Sequence, residues 1–295
     1  MTQHTDNTLR LIFPQWQGGN NGLYHLGARL LNWLAPVHDG PTEEVDVGLP
    51  DGRELRNEQG ILARTTLLEQ LRDARRKIDK HSPDRVVVIG GDCLVDLAPF
   101  AYLNERYEDD LAVLWVDAHP DIMTPEQFEN GHAMVLGNLL GHGDDEFRDH
   151  VRKPVRPANV CYLGVNDASP WEQQEMARHG LNNVAPETVA ERGAEPVLEW
   201  FRSTGAKHLA IHFDLDALDP TLFRALLFAK PDATAETFEG IAQGKLGMAE
   251  TVKVLCDVAK EADVVGLGIA EHLPWDAQAL KTMLDALPLI GQRES

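Results

Sequence analysis

Two short runs of this 295-residue sequence each hold several side chains that can bind metal ions. Asp117, His119 and Asp121 occupy alternate positions in the first run, and Asp214 and Asp216 do so in the second. Alternate residues of an extended segment project to the same side of the backbone. Each run can therefore direct its metal-binding groups at one point.

Four carboxylates held at close range predict a bound cation. They raise one another's pKa unless a positive charge neutralises them. Two divalent metal ions about 3.5–4 Å apart, bridged by shared carboxylates, would do so and would generate hydroxide from a bridging water at neutral pH. The alternative is that the aspartates only cap loops, which is the commoner role of any one of them alone.

The elements that must position these residues are short apolar strands. Six runs rich in Val, Ile or Leu are flanked by polar residues or glycine, as expected of strands buried on both faces. They are Leu9–Phe13, Arg85–Ile89, Leu111–Val116, Val160–Leu163, Leu209–Phe213 and Val264–Ile269. The two aspartate runs and the segment Gly90–Cys93 each follow one of these strands directly. Ligands of open parallel sheets gather beyond the carboxyl ends of the strands, so we expect all three segments to meet at one edge.

The spacing of apolar residues between the strands predicts amphipathic helices. The clearest are Thr65–Asp79, Met248–Glu261 and Asp276–Leu287. Thr66 with Glu69 predicts a capping box at the start of the first helix. Strands that alternate with helices predict an α/β fold, with a mostly parallel sheet between helices. We expect residues 1–295 to form one domain in which Thr221–Gly247 is a long loop or lid.

The charge of the chain argues against two classes of partner. With 47 acidic and 27 basic residues, its formal net charge is −20. Proteins that bind nucleic acid usually carry basic surfaces that displace counterions from phosphates, and anionic membranes attract basic segments. We therefore expect neither a nucleic-acid partner nor a membrane partner.

The cysteines and the N-terminal segment predict a cytoplasmic protein. The sequence begins without an apolar segment after a basic start, and no apolar run approaches the length of about 20 residues that spans a bilayer. Cys93, Cys161 and Cys256 are odd in number and widely spaced, which is a poor disulfide framework. A reducing compartment suits such a sequence best.

Five features together carry a family resemblance. They are GGDC at 90–93, DAHPD at 117–121, NGH at 130–132, DLDALDP at 214–220 and Glu271. In this order they resemble the ureohydrolase (arginase/agmatinase) family. The resemblance implies a three-layer α/β/α domain, a trimer or hexamer, and a binuclear manganese hydrolase that cleaves guanidino or formimino groups to release urea or a related product. It also implies that Asp117, His119, Asp121, Asp214 and Asp216 are metal ligands.

Two side chains suit the chemistry that this resemblance implies, in which hydroxide attacks an electron-poor guanidinium carbon. His132, at the start of a predicted helical segment His132–Leu140, could transfer a proton to the leaving amine. Glu271 could pair with the cationic group of the substrate. The predicted catalytic residues are His132 and Glu271, together with the metal ligand Asp117. The alternatives are a helix-terminal histidine without a catalytic role and a surface glutamate in the turn before Pro274.

Cys93 departs from the family pattern, which has histidine at this position as a metal ligand. A thiolate is a softer ligand that suits zinc, iron or cobalt better than manganese. The resemblance implies two manganese ions, and Cys93 makes iron, cobalt, nickel or zinc the alternatives. Cys93 could also weaken one metal site or serve only as a small buried hydrophobe. A branch of the family that hydrolyses N-hydroxyarginine also carries cysteine here, which makes that activity an alternative.

Two further departures concern the substrate. Ser169 stands where arginases place an acid that helps to recognise the amino-acid end of their substrate, and Met123 stands where they carry asparagine. The resemblance therefore implies a small cationic guanidino substrate other than L-arginine. Together with Cys93, Ser169 leaves open a second hypothesis, a protein of this fold with an impaired metal site and a binding or regulatory role.

Overall fold

Eight parallel strands form the central sheet of the computed structural model, which describes residues 7–290. The strands are β1 Thr8–Phe13, β2 Thr42–Glu44, β3 Asn57–Glu58, β4 Ile61–Leu62, β5 Arg85–Gly90, β6 Leu111–Val116, β7 Val160–Leu163, β8 Asn182–Val184, β9 His208–Asp214 and β10 Asp263–Ala270. The order across the sheet is β2-β1-β5-β10-β9-β6-β7-β8, and β3 and β4 form a separate antiparallel hairpin. The prediction about the N-terminal segment concerns residues 1–10, of which residues 1–6 lie outside the described part.

Helices cover both faces of this sheet. They are α1 Leu23–Leu34, α2 Arg64–His81, α3 Leu97–Tyr107, α4 Val135–Leu139, α5 Asp145–Arg148, α6 Pro170–His179, α7 Pro186–Arg192, α8 Glu195–Thr204, α9 Met248–Val258 and α10 Trp275–Ala286. Alternate residues of β6 belong to two different apolar clusters, of which one includes residues of α2, α3 and α4 and the other residues of α8 and α9. This two-sided burial explains the continuous apolar runs of the central strands. The predicted α/β fold with a mostly parallel sheet is confirmed.

The start of α2 corrects one prediction. Its apolar stripe is buried as expected, but the helix begins at Arg64 and its N-cap residue, Ala63, makes no side-chain capping bond, so the capping box of Thr66 and Glu69 is wrong. Instead, the carboxylate of Glu58 in the β3–β4 hairpin accepts a hydrogen bond of 2.7 Å from the backbone N–H of Thr65. A residue of the preceding hairpin, seven positions before Thr65, thus satisfies a donor at the helix terminus.

The segment predicted as a helix over 132–140 is divided. A 3₁₀ turn, Gly131–Met134, precedes the short helix α4. The backbone N–H of His132 donates to the carbonyl of Gly18 at 3.2 Å, a bond that ties the turn to another loop. That bond holds His132 at a loop junction and not on a helix face.

Residues 221–247 form a loop, as predicted, with short 3₁₀ turns at Leu227–Ala229 and Ala235–Phe238. A backbone bridge between Leu218 and Leu246 joins the two ends of the loop. The three cysteines are free, which confirms that they form no disulfide framework. None of the helices within residues 7–290 is long and apolar enough to cross a membrane.

Candidate active site

Four adjacent strands bring the predicted site residues together. The order β5-β10-β9-β6 places Glu271, which follows β10, between the cysteine segment after β5 and the aspartates at the end of β9. Asp117 follows β6 on the other side of β9. All the carboxyl ends lie at the same edge because the strands are parallel. The expected convergence of three segments at one edge is thus confirmed, and β10 adds a fourth.

The side chains at this edge form three groups that share members, and within each group the ligand atoms lie within 4.8 Å of one another. The groups are Asp117 with His119 and Asp216; Asp214 with Asp216 and Glu271; and Cys93 with Asp117, His212 and Asp214. Asp121, predicted as a ligand, is buried beside them and lines the same cavity but belongs to none of the groups. His212 is an addition that the sequence interpretation missed, because it lies inside an apolar strand.

Several buried polar atoms in this cluster have no hydrogen-bond partner. They are Asp121 Oδ2, Asp216 Oδ1, Glu271 Oε1 and His212 Nε2. A buried polar atom without a partner is costly, and each of these atoms is a good ligand for a divalent metal ion. The described residues therefore fit the metal centre that the sequence predicts.

The electrostatics of the cluster show how strongly it needs a cation. Burial raises the pKa of both Asp214 and Glu271 well above the usual range, and the neighbouring Asp216 raises both further. His119 Nδ1 lies 3.2 Å from Asp216 Oδ2 and 3.4 Å from Asp117 Oδ1. Burial lowers the pKa of His119, but these two carboxylates outweigh it and hold the pKa well above its usual value. A protonated His119 thus serves as a counter-charge for the acids.

Cys93 lies at the bottom of the cluster as a thiol. Its Sγ donates a hydrogen bond of 2.7 Å to Asp214 Oδ2, and the side chain is buried. Burial, followed by the negative charge of Asp214, raises the pKa of the thiol well above its usual value. Metal binding at this position would require the thiol to lose its proton.

His132 presents a neutral imidazole to the cluster. Its Nδ1 donates to the carbonyl of Gly18 at 2.9 Å, since a carbonyl can only accept, and this leaves Nε2 with a free lone pair. Burial lowers the pKa of His132 to about 4. Its Nε2 lies 4.0 Å from Oε1 of Glu271, a buried oxygen that has no hydrogen-bond partner.

Two residues of the site have strained backbones. Asp121 has a φ of +53° and Glu271 a φ of +64°, in the left-handed region that residues with a side chain rarely adopt. Hydrogen bonds hold both positions, from Glu271 N to the carbonyl of Gly91 at 2.7 Å and from Gly137 N to the carbonyl of Asp121 at 3.0 Å. Such strain costs about 1–3 kcal/mol per residue and is found mainly at functional sites.

The cluster opens into a cavity of about 290 Å³. Among the residues that the structure describes, its lining includes six acids and neither lysine nor arginine. Met123, Phe128, Phe228 and Ile241 supply apolar walls. Ser169 also lines the cavity, but its hydroxyl accepts from the backbone of Glu172 and caps α6. The cavity therefore favours a small positively charged ligand with an apolar portion.

Fold and site together define a three-layer α/β/α protein with a carboxylate-rich candidate metal centre at the carboxyl edge of its sheet. The chain belongs to the arginase family, whose family model matches residues 36–226. It is accordingly an arginase-family protein with a hydrolase fold.

Individual relatives agree with this assignment. The chain is 25% identical over 189 residues to an arginase of Staphylococcus aureus (strain MRSA252), an alignment that covers 60% of the chain and 61% of the relative. Its fold is similar to that of an Entamoeba histolytica arginase solved in complex with L-ornithine, with a TM-score of 0.77, 19% identity and coverage of 94% and 97%. A formimidoylglutamase from Bacillus subtilis is also similar, with a TM-score of 0.67, 14% identity and coverage of 93% and 81%.

Proposed function

We propose that this protein is a metal-dependent hydrolase that cleaves a C–N bond in the guanidino or amidino group of a small cationic substrate. The observation that carries the proposal is the group of buried, unpartnered ligand atoms at the base of an acidic cavity. The names of its relatives, arginase and formimidoylglutamase, support the same class of substrate. We propose cytoplasmic homo-oligomers as its working form.

The acids and imidazoles of the cluster would hold the metal. We assign Asp117, His119, Asp121, Asp214 and Asp216 to a pair of manganese ions, with Cys93 as the residue that could favour iron, cobalt, nickel or zinc instead. When bound, such a centre neutralises the carboxylates and activates water for attack on the substrate carbon.

His132 and Glu271 act on the substrate beside the metal. The free Oε1 of Glu271 accepts a hydrogen bond from an amidino N–H and so orients the cationic group. His132 Nε2, unprotonated and 4.0 Å from that oxygen, takes a proton from the attacking water and gives it to the leaving nitrogen as the C–N bond breaks. Asp117 belongs both to the group with His119 and Asp216 and to the group with Cys93, His212 and Asp214, so it would be a ligand shared by two metal positions.

The cavity favours a substrate other than L-arginine. Met123 contributes an apolar thioether, and the hydroxyl of Ser169 is already engaged as a helix cap, so fewer free polar groups can bind an α-amino acid. N-hydroxyarginine remains the alternative substrate suggested by Cys93. A binding role with an impaired metal site is the alternative function, and the hydrogen bond from the Cys93 thiol to Asp214 is the observation that favours it.

Metal content and product release test this proposal together. Purified protein would be stripped with a chelator, reloaded with manganese, iron, cobalt, nickel or zinc, and assayed for urea, formamide and ammonia release from guanidino and formimino compounds. We expect bound metal and one active combination in the wild type, and neither in Asp216→Asn. A wild type that binds no more metal than Asp216→Asn would refute the proposal. Bound metal without activity on any substrate would favour the binding role.

A further inference from the structure

His212 lies beneath the candidate metal centre and is not used by the proposed mechanism. It precedes Asp214 by two residues on β9, so both side chains project from the same face of the sheet. The side chain is completely buried. Trp115, its partner on β6, stacks against the imidazole with ring centroids 3.7 Å apart, which fixes the plane of the ring.

Asp96 fixes the direction in which this imidazole points. Its Oδ2 accepts a hydrogen bond of 2.7 Å from His212 Nδ1. Asp96 reaches the ring across Gly268, the partner of His212 on β10, where a Cβ atom would overlap the carboxyl group. The proton on Nδ1 leaves a free lone pair on Nε2. That nitrogen has no hydrogen-bond partner and lies 3.8 Å from Asp117 Oδ2.

A histidine that ligates metal almost always donates its other N–H to a carboxylate or carbonyl, which orients the ring and raises its basicity. His212 has this arrangement before any metal is added. A ring nitrogen of His212 lies within 4.8 Å of ligand atoms from Cys93, Asp117 and Asp214, and all four residues are buried. The group therefore combines one thiol, one imidazole and two carboxylates around one point.

We propose that His212 is a metal ligand, oriented by Asp96, at a deep position of the centre that it shares with Cys93, Asp117 and Asp214. The inference rests on the proposed metal-dependent function. Sulfur and nitrogen ligands suit zinc, iron or cobalt, whereas the outer group of Asp117, His119 and Asp216 is richer in oxygen and suits manganese. The two positions should therefore differ in metal preference.

The test compares His212→Asn with a control variant, His208→Asn. The amide nitrogen of asparagine can take the place of Nδ1 and keep the bond to Asp96, whereas Nε2 is lost. His208 lies on the same strand with a carboxylate on its own Nδ1, Asp263 at 3.0 Å, and an aromatic neighbour, Tyr107, at 4.0 Å between ring centroids. It lies at the opposite end of β9 from the cluster.

Zinc and cobalt would be titrated into each chelator-stripped protein by calorimetry and absorption spectroscopy. We expect His212→Asn to lose at least about tenfold in zinc affinity and to change the cobalt spectrum, with His208→Asn like the wild type. Equal zinc affinity and an unchanged cobalt spectrum in His212→Asn would overturn the inference while leaving the metal-dependent function intact. A wild type that binds no metal would overturn both.

X-ray absorption supplies a second measurement that does not depend on the folding of His212→Asn. Protein carrying both His119→Asn and His132→Asn would be loaded with one zinc equivalent, so that neither histidine of the cavity lining can supply the imidazole. We expect zinc with a sulfur neighbour at about 2.3 Å and imidazole scattering from a nitrogen at about 2.0 Å. Sulfur without imidazole, or neither, would refute the assignment of His212.

Discussion

Gly268→Ala should destabilise the protein through a single contact. A Cβ atom at this position would overlap three atoms of the Asp96 side chain, namely its two carboxyl oxygens and its Cγ. Overpacking of a core costs about 1–3 kcal/mol, and losing a buried hydrogen bond to a charged group costs about 1.5–3 kcal/mol. The Asp96 side chain can avoid this overlap only by moving away from His212, which breaks their hydrogen bond. We therefore expect the free energy of unfolding to fall by about 3–5 kcal/mol.

A double-mutant cycle separates this contact from general crowding. Urea unfolding of the metal-free protein would be followed by circular dichroism for Gly268→Ala, Asp96→Ala and the double variant. Removal of the carboxyl group should cancel about 2 kcal/mol of the cost of Gly268→Ala. Gly266→Ala is the control, because a Cβ there would meet Leu103 and Ala210 and should not couple to Asp96. A Gly268→Ala cost below about 1 kcal/mol, or one unchanged without Asp96, would refute the reasoning.

Three further predictions concern protons and metal. The stability of the metal-free protein should fall as the pH rises from 7 to 9, because Asp214, Glu271 and His119 have raised pKa values and the folded state therefore holds more protons than the unfolded state. Histidines with a lowered pKa, such as His132, oppose this only below about pH 7, where the unfolded histidine is still protonated. Each excess proton contributes about 1.4 kcal/mol per pH unit, and rising stability in urea unfolding would contradict this. Zinc or manganese at about 100 times its dissociation constant should add about 2.7 kcal/mol to the free energy of unfolding. Thermal unfolding with and without chelator would measure this gain, and an unchanged melting temperature would count against the metal site. His132→Asn should lower turnover at least about 100-fold while its metal affinity stays that of the wild type, and equal turnover in the variant would exclude a proton-transfer role for His132. Because the pKa of His132 is about 4, the pH profile of wild-type turnover should show no titration of His132 between pH 5.5 and 8.

The sequence predicted the centre of the sheet better than its edges. All six predicted strands are present with nearly the predicted bounds, because burial on both faces leaves a continuous apolar run. Thr42–Glu44 and Asn182–Val184 were missed because these edge strands are short and polar. The order of the strands depends on contacts between residues that are far apart in the sequence. The position of β10 between β5 and β9, which brings Glu271 to the middle of the site, therefore could not be predicted from the sequence around β10.

The site was predicted where its chemistry lies in loops and missed where it lies in a strand. The aspartates after β6 and β9 interrupt apolar runs and are therefore conspicuous. His212 was absorbed into the predicted strand Leu209–Phe213, although counting back by two from Asp214 places it on the same face. Its partner Asp96 could not be found locally, since the contact joins residues 116 positions apart.

The polar edge strands have a consequence for how copies of this protein meet. An exposed edge of a sheet offers unpaired backbone groups to which a second chain can add a strand. Glu43 and Glu44 on β2 and the exposed Asn182 and Asn183 on β8 make both edges short and hydrophilic. The polarity that concealed these strands from the hydrophobic pattern is thus a protection against edge-to-edge aggregation. Any ordered assembly of this chain should therefore form through its helices and loops, and not by extension of the sheet.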